Sequence, residues 1–390
     1  MKRILSLLLM ITLLTALFAG GAKETGDQKA RVKAALSEAA TLSWDKLLVK
    51  AKEEVGNEAL VIYATTSRPN ENSFTDKTGI KVKVYQPTDS EIYEVLENEV
   101  GAGIYGSDVV LTTDSYNLVA NARENDWLLN FVPSQYKDVI AKSDQDPLVS
   151  IYYNRAFVYN NGGGSLENYI TNIWQLAEPE FKGIEIKSPL LEKCSMNWLI
   201  SMTSPYWQQR IGDAYMSFYG KAWQAGGSFD SVSEEWIYKF IQNSTFISKD
   251  GTIAGNIAAG APGSVGFFTF SKFRSVDYSK LSVVANDGVE GFAGQLYPIY
   301  IQVAANAKYP YAASLYINYL MGEEGYMNVF GKDMGAYSAN PTIAVSENAK
   351  SVGDQDLGFW LEQMVVEDAD HISGVYAQAY TKISQWCANK

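Results

Sequence analysis

Three times in the first third of the chain a short apolar strand pattern runs into a polar loop and then a helical pattern. This rhythm constrains the fold more than any other feature. Leu60-Val61-Ile62-Tyr63 is an apolar β-type run that ends in Ala64-Thr65-Thr66-Ser67-Arg68. Ile80 to Tyr85 alternates with period two, and Pro87-Thr88-Asp89-Ser90 follows; Ser90 or Asp89 is placed to cap a helix over Glu91–Glu99. Asp108-Val109-Val110-Leu111 is a third, buried strand, followed by Thr112-Thr113-Asp114-Ser115 and another helix. Repeated strand, loop and helix is the pattern of a parallel α/β sheet. It recurs in the middle of the chain. Ser150–Asn154 and Ala156–Tyr159 read as two strands joined by a short polar turn, and Ile184-Glu185-Ile186 as another strand. Helices are expected around Ala30–Val55, Ile170–Leu176, Cys194–Met202, Gln208–Ala225 and Ser233–Gln242. Gly263–Phe270, Leu281–Ala285 and Pro298–Val303 are β-rich, and the chain beyond Tyr309 is mostly helical. Two α/β halves result. In such sheets ligands bind where polar loops leave the carboxyl ends of strands, and two facing halves form a cleft that closes by hinge motion.

The N-terminus reads as an export signal. Lys2 and Arg3 precede an apolar run from Ile4 to Ala19, and the small residues Gly20, Gly21 and Ala22 follow it. A signal peptide over about 1–22 is expected; an N-terminal membrane anchor is the other reading, although the run is shorter than the ~20 residues that span a bilayer. No cysteine follows the run, so a lipid anchor there is unsupported. The two cysteines, Cys194 and Cys387, form no disulfide framework; in an oxidising compartment they could pair, or they could be two buried thiols. A net charge of −12 disfavours nucleic acid and anionic lipid surfaces as partners. The 25 tyrosines and 9 tryptophans suit either a large core or a ligand cleft.

Catalytic residues are few. The one histidine, His371, lies beside Asp368 and Asp370 in the helical C-terminal region and reads as a surface residue. No Gly-x-Ser-x-Gly elbow, phosphate-binding Gly-x-x-x-x-Gly-Lys loop, His-Glu-x-x-His or Cys-x-x-Cys motif occurs. Gly162-Gly163-Gly164 is not followed by the Gly-Lys-Ser or Gly-Lys-Thr of a phosphate cradle. The pairs Glu53-Glu54 and Glu323-Glu324 read as solvated. Hydroxyl-rich loops after strands are the informative signal: they bind anions or sugars together with free amides at helix N-termini, or simply cap helices.

Ser43–Glu54 followed by Leu60–Tyr63 resembles the opening of the extracellular solute-binding proteins of the ferric-iron-binding type. Phe74-Thr75-Asp76-Lys77-Thr78-Gly79-Ile80-Lys81-Val82 resembles their helix and second strand, and Asp108–Leu111 their third. Tyr153-Asn154 is similar to their crossover strand. Ile173-Trp174-Gln175-Leu176 through Pro179-Glu180-Phe181-Lys182-Gly183-Ile184 is similar to the stretch before a later strand, and Ala312–Gly325 to a late helix. The resemblance implies a type II periplasmic-binding-protein-like α/β fold, with parallel sheets, crossover strands and a ligand cleft between two domains. The expected division is 1–22 signal, 23–42 linker or helix, 43–150 with 297–340 as domain I, and 151–296 with 341–390 as domain II. The resemblance also implies a periplasmic, monomeric component of an ABC importer. It would pass a small solute to an inner-membrane permease with its ATPase, catalyse nothing itself and need no cofactor.

Carried onto this chain, the family's cleft loops fall at Thr65, Thr66, Ser67, Thr112 and Thr113, with Arg68 nearby. The second domain would contribute Ser188, Cys194 and Ser195, with Tyr153 and Tyr297 at the crossovers. Iron-binding members carry two adjacent tyrosines after a glycine in a β-rich segment, since phenolates are hard donors that suit Fe(III). The equivalent stretch here, Gly266 to Arg274, contains no tyrosine; Phe268 and Ser271 are its candidates for ligand contact. Phenylalanine ligates no metal, and Lys272 and Arg274 repel one. Tyr152 and Tyr153 are adjacent, but period two points them to opposite faces. These residues favour an organic solute, phosphorylated or carboxylated, and no metal ligands. Ferric iron is the alternative cargo, and an exported sensor or adhesin on the same fold the alternative role.

Overall fold

The computed structural model describes residues 26–70, 72–345 and 354–390. The expected signal peptide lies outside the described residues. The chain divides into two compact units. Unit 1 takes the described residues up to Thr112, with Ala120–Leu148 and Tyr300–Val329; unit 2 takes Thr113–Val119, Val149–Ile299 and Phe330–Lys390. Thr113–Val119 and residues 330–340 therefore belong to unit 2, where the sequence had placed them in domain I.

In unit 1, strands β1 (Ala59–Ala64), β2 (Lys81–Tyr85) and β3 (Val109–Thr112) pair in parallel in the order β2-β1-β3. A short β4 (Leu128–Leu129) is also present. β1 alternates half-buried and buried residues, as the period-two pattern of a sheet strand requires. Asp108 ties the sheet to the helix Pro310–Leu320. Its carboxylate accepts from the Val61 amide at 2.9 Å, the Tyr309 amide at 2.8 Å and the Tyr105 hydroxyl at 2.8 Å. The expected helix over 30–55 is two helices, 26–39 and Trp44–Val55. The second packs on Pro310–Leu320, and Glu54 accepts the free amides of Tyr311 and Ala312 at 3.0 and 3.2 Å. Glu54 is thus not the solvated carboxylate expected. It satisfies donors that a helix start leaves without intrahelical partners.

Unit 2 is built on β5 (Val149–Asn160), every residue of which is buried. The turn expected within it does not exist. Arg155, read as a turn residue because it is charged, continues the strand and pairs with Thr269. β6 (Ile184–Lys187) runs parallel to β7 (Ser244–Ile247), and β8 (Val265–Thr269) and β9 (Leu281–Val283) run antiparallel to β5. β10 (Gly294–Ala304) flanks β5 on its other side and continues into unit 1, where Tyr300–Val303 pair with β3. β11 (Ala336–Ser338) pairs with β5 and β12 (Val365–Val366) with β10. Only glycine fits at 294, because a Cβ there would lie 2.2 Å from the Arg155 carbonyl oxygen. The core between sheet and helices is aromatic. Trp198 stacks on Phe267 at 4.5 Å, Trp236 stacks on Phe240 at 4.8 Å, and Phe157 and Phe292 fill between them. Rings of this size dominate core burial. The segment expected as a helix over Ile170–Leu176 is a 3-10 turn, Ile173–Ala177, capped by Asn172. Among the described residues no helix is long and apolar enough to cross a membrane.

Candidate functional site

The candidate residues of unit 1 are mostly engaged locally. The Thr65 amide bonds the Leu111 carbonyl, and Thr66 Oγ1 accepts from the Arg68 amide at 3.3 Å, closing a turn in which Ser67 is exposed. Arg68 is half-buried and opens a 3-10 turn. Thr112 is fully buried at the end of β3, where its hydroxyl bonds Asp89 and Tyr93, each at 3.1 Å. The hydroxyl loops serve helix starts more than open solvent. Thr88, rather than Asp89 or Ser90, caps Asp89–Ala102 in a reciprocal box with Glu91, and Asp114 caps the short turn Ser115–Asn117.

In unit 2, Thr113 is nearly buried, and Ser115 two residues on donates to Glu367 at 2.8 Å and accepts from Asn197 at 3.1 Å. Gln295 donates to the other Glu367 oxygen at 3.0 Å. Burial, with Asp114 nearby, pushes the Glu367 carboxyl well above the usual range, against the pull of its three donors. Tyr116 of the same segment stacks on Tyr376 with centroids 3.6 Å apart.

The main polar cluster surrounds Arg155. Period two places Tyr153 and Arg155 on one face of β5. Arg155 Nη1 donates to Ser195 Oγ at 2.8 Å and lies 2.8 Å from Glu192; Nη2 reaches Asp250 at 3.4 Å. Ser195 in turn donates to Glu192 at 2.6 Å, and Lys187 binds the other Glu192 oxygen. Asp250 accepts from Thr269 Oγ1 at 3.1 Å, and that hydroxyl is 3.2 Å from Ser271. The Tyr297 ring lies 5.7 Å from the guanidinium and 5.9 Å from Tyr153, whose hydroxyl donates to Asp333 at 2.8 Å. Burial works against the charge on Arg155, yet Asp250 and Glu192 hold its pKa well above the ordinary value. Burial also raises Glu192, but Arg155 and Lys187 bring it down to about 2. The Tyr297 phenol is pushed well up by burial, with Arg155 opposing.

Of the predicted residues of unit 2, the structure thus links Tyr153, Ser195, Ser271 and Tyr297. Ser188 stands apart and caps its own loop by accepting from the Leu190 amide at 3.3 Å. Phe268 is fully buried on the other face of β8 from Phe267 and packs on Phe273, away from this cluster. The sequence reading missed Arg155, Glu192, Asp250 and Thr269. One signal was available: an arginine in the middle of an otherwise apolar β run is rarely left unpaired. Gly163 and Gly164 donate their amides to Asn161 Oδ1, so the glycine triplet holds its own loop. His371 Nε2 lies 2.9 Å from Thr203. Both cysteines are buried and no disulfide joins them. Cavities of about 420 and 400 Å³ in unit 2 include none of the predicted residues. Among the described residues no group of three His, Cys, Asp or Glu side chains is placed to hold a metal ion.

No family model matches the chain, and no curated protein matches it. Its structure is similar to solved structures of binding proteins. A ferric binding protein from Campylobacter jejuni superposes with a TM-score of 0.63 at 16% identity, covering 84% of this chain and 99% of the other. A Trichodesmium protein, IdiA or FutA, solved in complex with iron and citrate ligands, gives 0.58 at 17% identity over 84% and 99%. An ABC transporter protein from Clostridium perfringens gives 0.56 at 14% identity over 85% and 98%. The chain therefore has the two-domain periplasmic-binding fold of type II, as the sequence resemblance implied.

Proposed function

We propose that this chain is the solute-binding component of an ABC-type importer, with ferric iron as its first candidate cargo. The observation that carries this reading is similarity of fold, over nearly the whole of each partner chain, to a protein named for ferric binding and to one solved with iron and citrate. On this reading the protein is exported to the periplasm, acts as a monomer, catalyses nothing and hands its cargo to an inner-membrane permease with its ATPase. Residues bearing hydroxyls and phenols, among them Thr65, Ser195, Tyr153 and Tyr297, are the first candidates for cargo contact.

An organic anion, which the sequence favoured, becomes the second reading. One observation supports it: the stretch Gly266–Arg274 offers no tyrosine, and the face of β5 beside it carries the buried cation Arg155. A positive charge opposes a bare trivalent cation.

The test is thermal denaturation of protein refolded from denaturant to strip carried-over ligand. It would be run with ferric nitrilotriacetate, ferric citrate, citrate alone and sugar phosphates. A ligand at a hundred times its Kd adds about 2.7 kcal/mol. A shift with both ferric complexes supports iron. A shift with citrate or a sugar phosphate alone moves the cargo to the organic class. No shift with any of them refutes solute binding of either kind.

A further inference from the structure

The cavity of about 420 Å³ in unit 2 is lined by the helix Pro205–Tyr219, the loop that leads into β10 and the end of the helix Leu357–Gln363. Small-ligand sites have volumes of about 300–1,000 Å³. The first helix brings Arg210, Asp213 and Ser217 to the cavity, positions i, i+3 and i+7 of one face. The loop brings Glu290. Its Gly291, at φ 95°, lies so close to Ile173 that a Cβ would come within 2.7 Å of that side chain. Opposite charges one helical turn apart ordinarily pair. Here each charge is held by another group. Arg210 Nη1 donates to the Glu362 carbonyl at 2.6 Å and lies 3.3 Å from the Tyr206 hydroxyl, and its guanidinium is 5.0 Å from the Trp207 ring. Asp213 Oδ1 accepts from Gln209 at 2.8 Å, and Glu290 Oε2 from Asn172 at 2.8 Å. Among the described residues, no partner takes the Arg210 Nε–H and Nη2 edge, Asp213 Oδ2 or Glu290 Oε1.

We infer that this cavity binds a zwitterion, an α-amino acid or a short peptide. The ligand's carboxylate takes the open edge of Arg210, and its ammonium group takes the open oxygens of Asp213 and Glu290. A guanidinium edge with Nε–H and one Nη2 hydrogen is a two-pronged donor that matches a carboxylate. An ammonium group has three donors and no acceptor, which suits a pair of carboxylates. A single ion fits less well, because an anion meets two carboxylates and a cation meets the guanidinium. None of these residues belongs to the cluster around Arg155, so the inference goes beyond the solute-binding reading and does not depend on the cargo.

The test is an NMR titration of the ¹⁵N-labelled mature chain with alanine, leucine and dialanine, and with acetate and ethylamine as carriers of one charge each. The expected result is a saturable shift of the Ser217, Gly288 and Gly291 amides with a zwitterion, and binding of either control weaker by about tenfold or more. Response to the free amino acids alone identifies an amino acid, and response to dialanine alone a peptide. Arg210→Gln and Asp213→Asn should each weaken binding by about tenfold or more. Ser217→Trp, at an exposed position, fills the cavity without removing a charge and should abolish binding. Any rise in Tm that citrate or ferric citrate produces should be the same in all three variants. The inference is overturned if no zwitterion moves these amides, if acetate or ethylamine binds as tightly, or if binding survives Ser217→Trp. Each of those results leaves the solute-binding reading standing.

Discussion

Ser115 Oγ donates to Glu367 Oε2 over 2.8 Å, joining residues 252 positions apart in the sequence. The acid sits buried just after β12, and its other oxygen accepts from Gln295 on β10. With donors but no cation around it, Glu367 is accommodated best in its neutral form.

Glu367 therefore makes stability depend on pH. Its folded pKa lies well above the ordinary carboxylate value because of burial. The folded state then binds the proton more tightly than the unfolded chain does, so stability is greatest below the unfolded pKa and falls as pH rises through the folded one. Glu367→Gln keeps a carbonyl acceptor and an amide donor and removes the titration. At neutral pH it should raise the unfolding free energy by about 1–2 kcal/mol, and it should flatten the dependence of Tm on pH. A lower Tm at pH 7 would mean that the acid is charged and stabilised in the fold.

Glu54 behaves in the same direction in unit 1. Burial raises its pKa to about 7, against the amides of Ala312 and Tyr311 and the nearby Arg31. Its contribution is full below the usual carboxylate range and is lost between there and about pH 7. The loss is on the order of 2 kcal/mol, since the side chain is only 15% exposed. Glu54→Gln still accepts from both amides, so its urea midpoint should change less between pH 5 and pH 8 than that of the parent.

The two thiols offer a direct chemical check. Cys194 and Cys387 are buried with no disulfide between them, and burial pushes the Cys387 thiol up to about 11, with Lys390 opposing. Thiolate is the reactive form. Both cysteines should therefore resist a thiol reagent at pH 8 in the native protein and react fully in guanidinium. Failure of the denatured protein to react without a reductant would reveal a disulfide instead.

Much of the fold was legible in the residues. β1, β2 and β3 lie where period two and short apolar runs placed them: exposure alternates along β1 and β2, and β3 is buried throughout. The errors share a cause: charge or polarity was taken as a sign of solvent. Arg155 was read as a turn and Glu54 as solvated, yet Arg155 is buried and Glu54 half-buried against partners distant in sequence, Asp250 for one and Tyr311 for the other. The Thr112 hydroxyl, carried over from the resemblance as a ligand contact, bonds Asp89 and Tyr93, partners that no local pattern announces. Phe268 and Phe267 are indistinguishable as neighbours in the sequence, and only the pleat of β8 decides which of them approaches Arg155. Such pairings across the fold leave no local pattern to read.

The unbroken burial of β5 has a consequence for how the chain finds its pairing. In a strand of twelve buried residues, most of them aromatic or aliphatic, only Ser150, Asn154, Arg155 and Asn160 mark one alignment from the next. Arg155 is the one of these that carries a charge. Set opposite Thr269 it meets Asp250. Slid by one position, every side chain of the strand would change faces, and a bare guanidinium would be driven into hydrocarbon with no counter-charge. The same arginine that complicates the reading of the site thus serves as the key that lets only one alignment of β5 against β8 close.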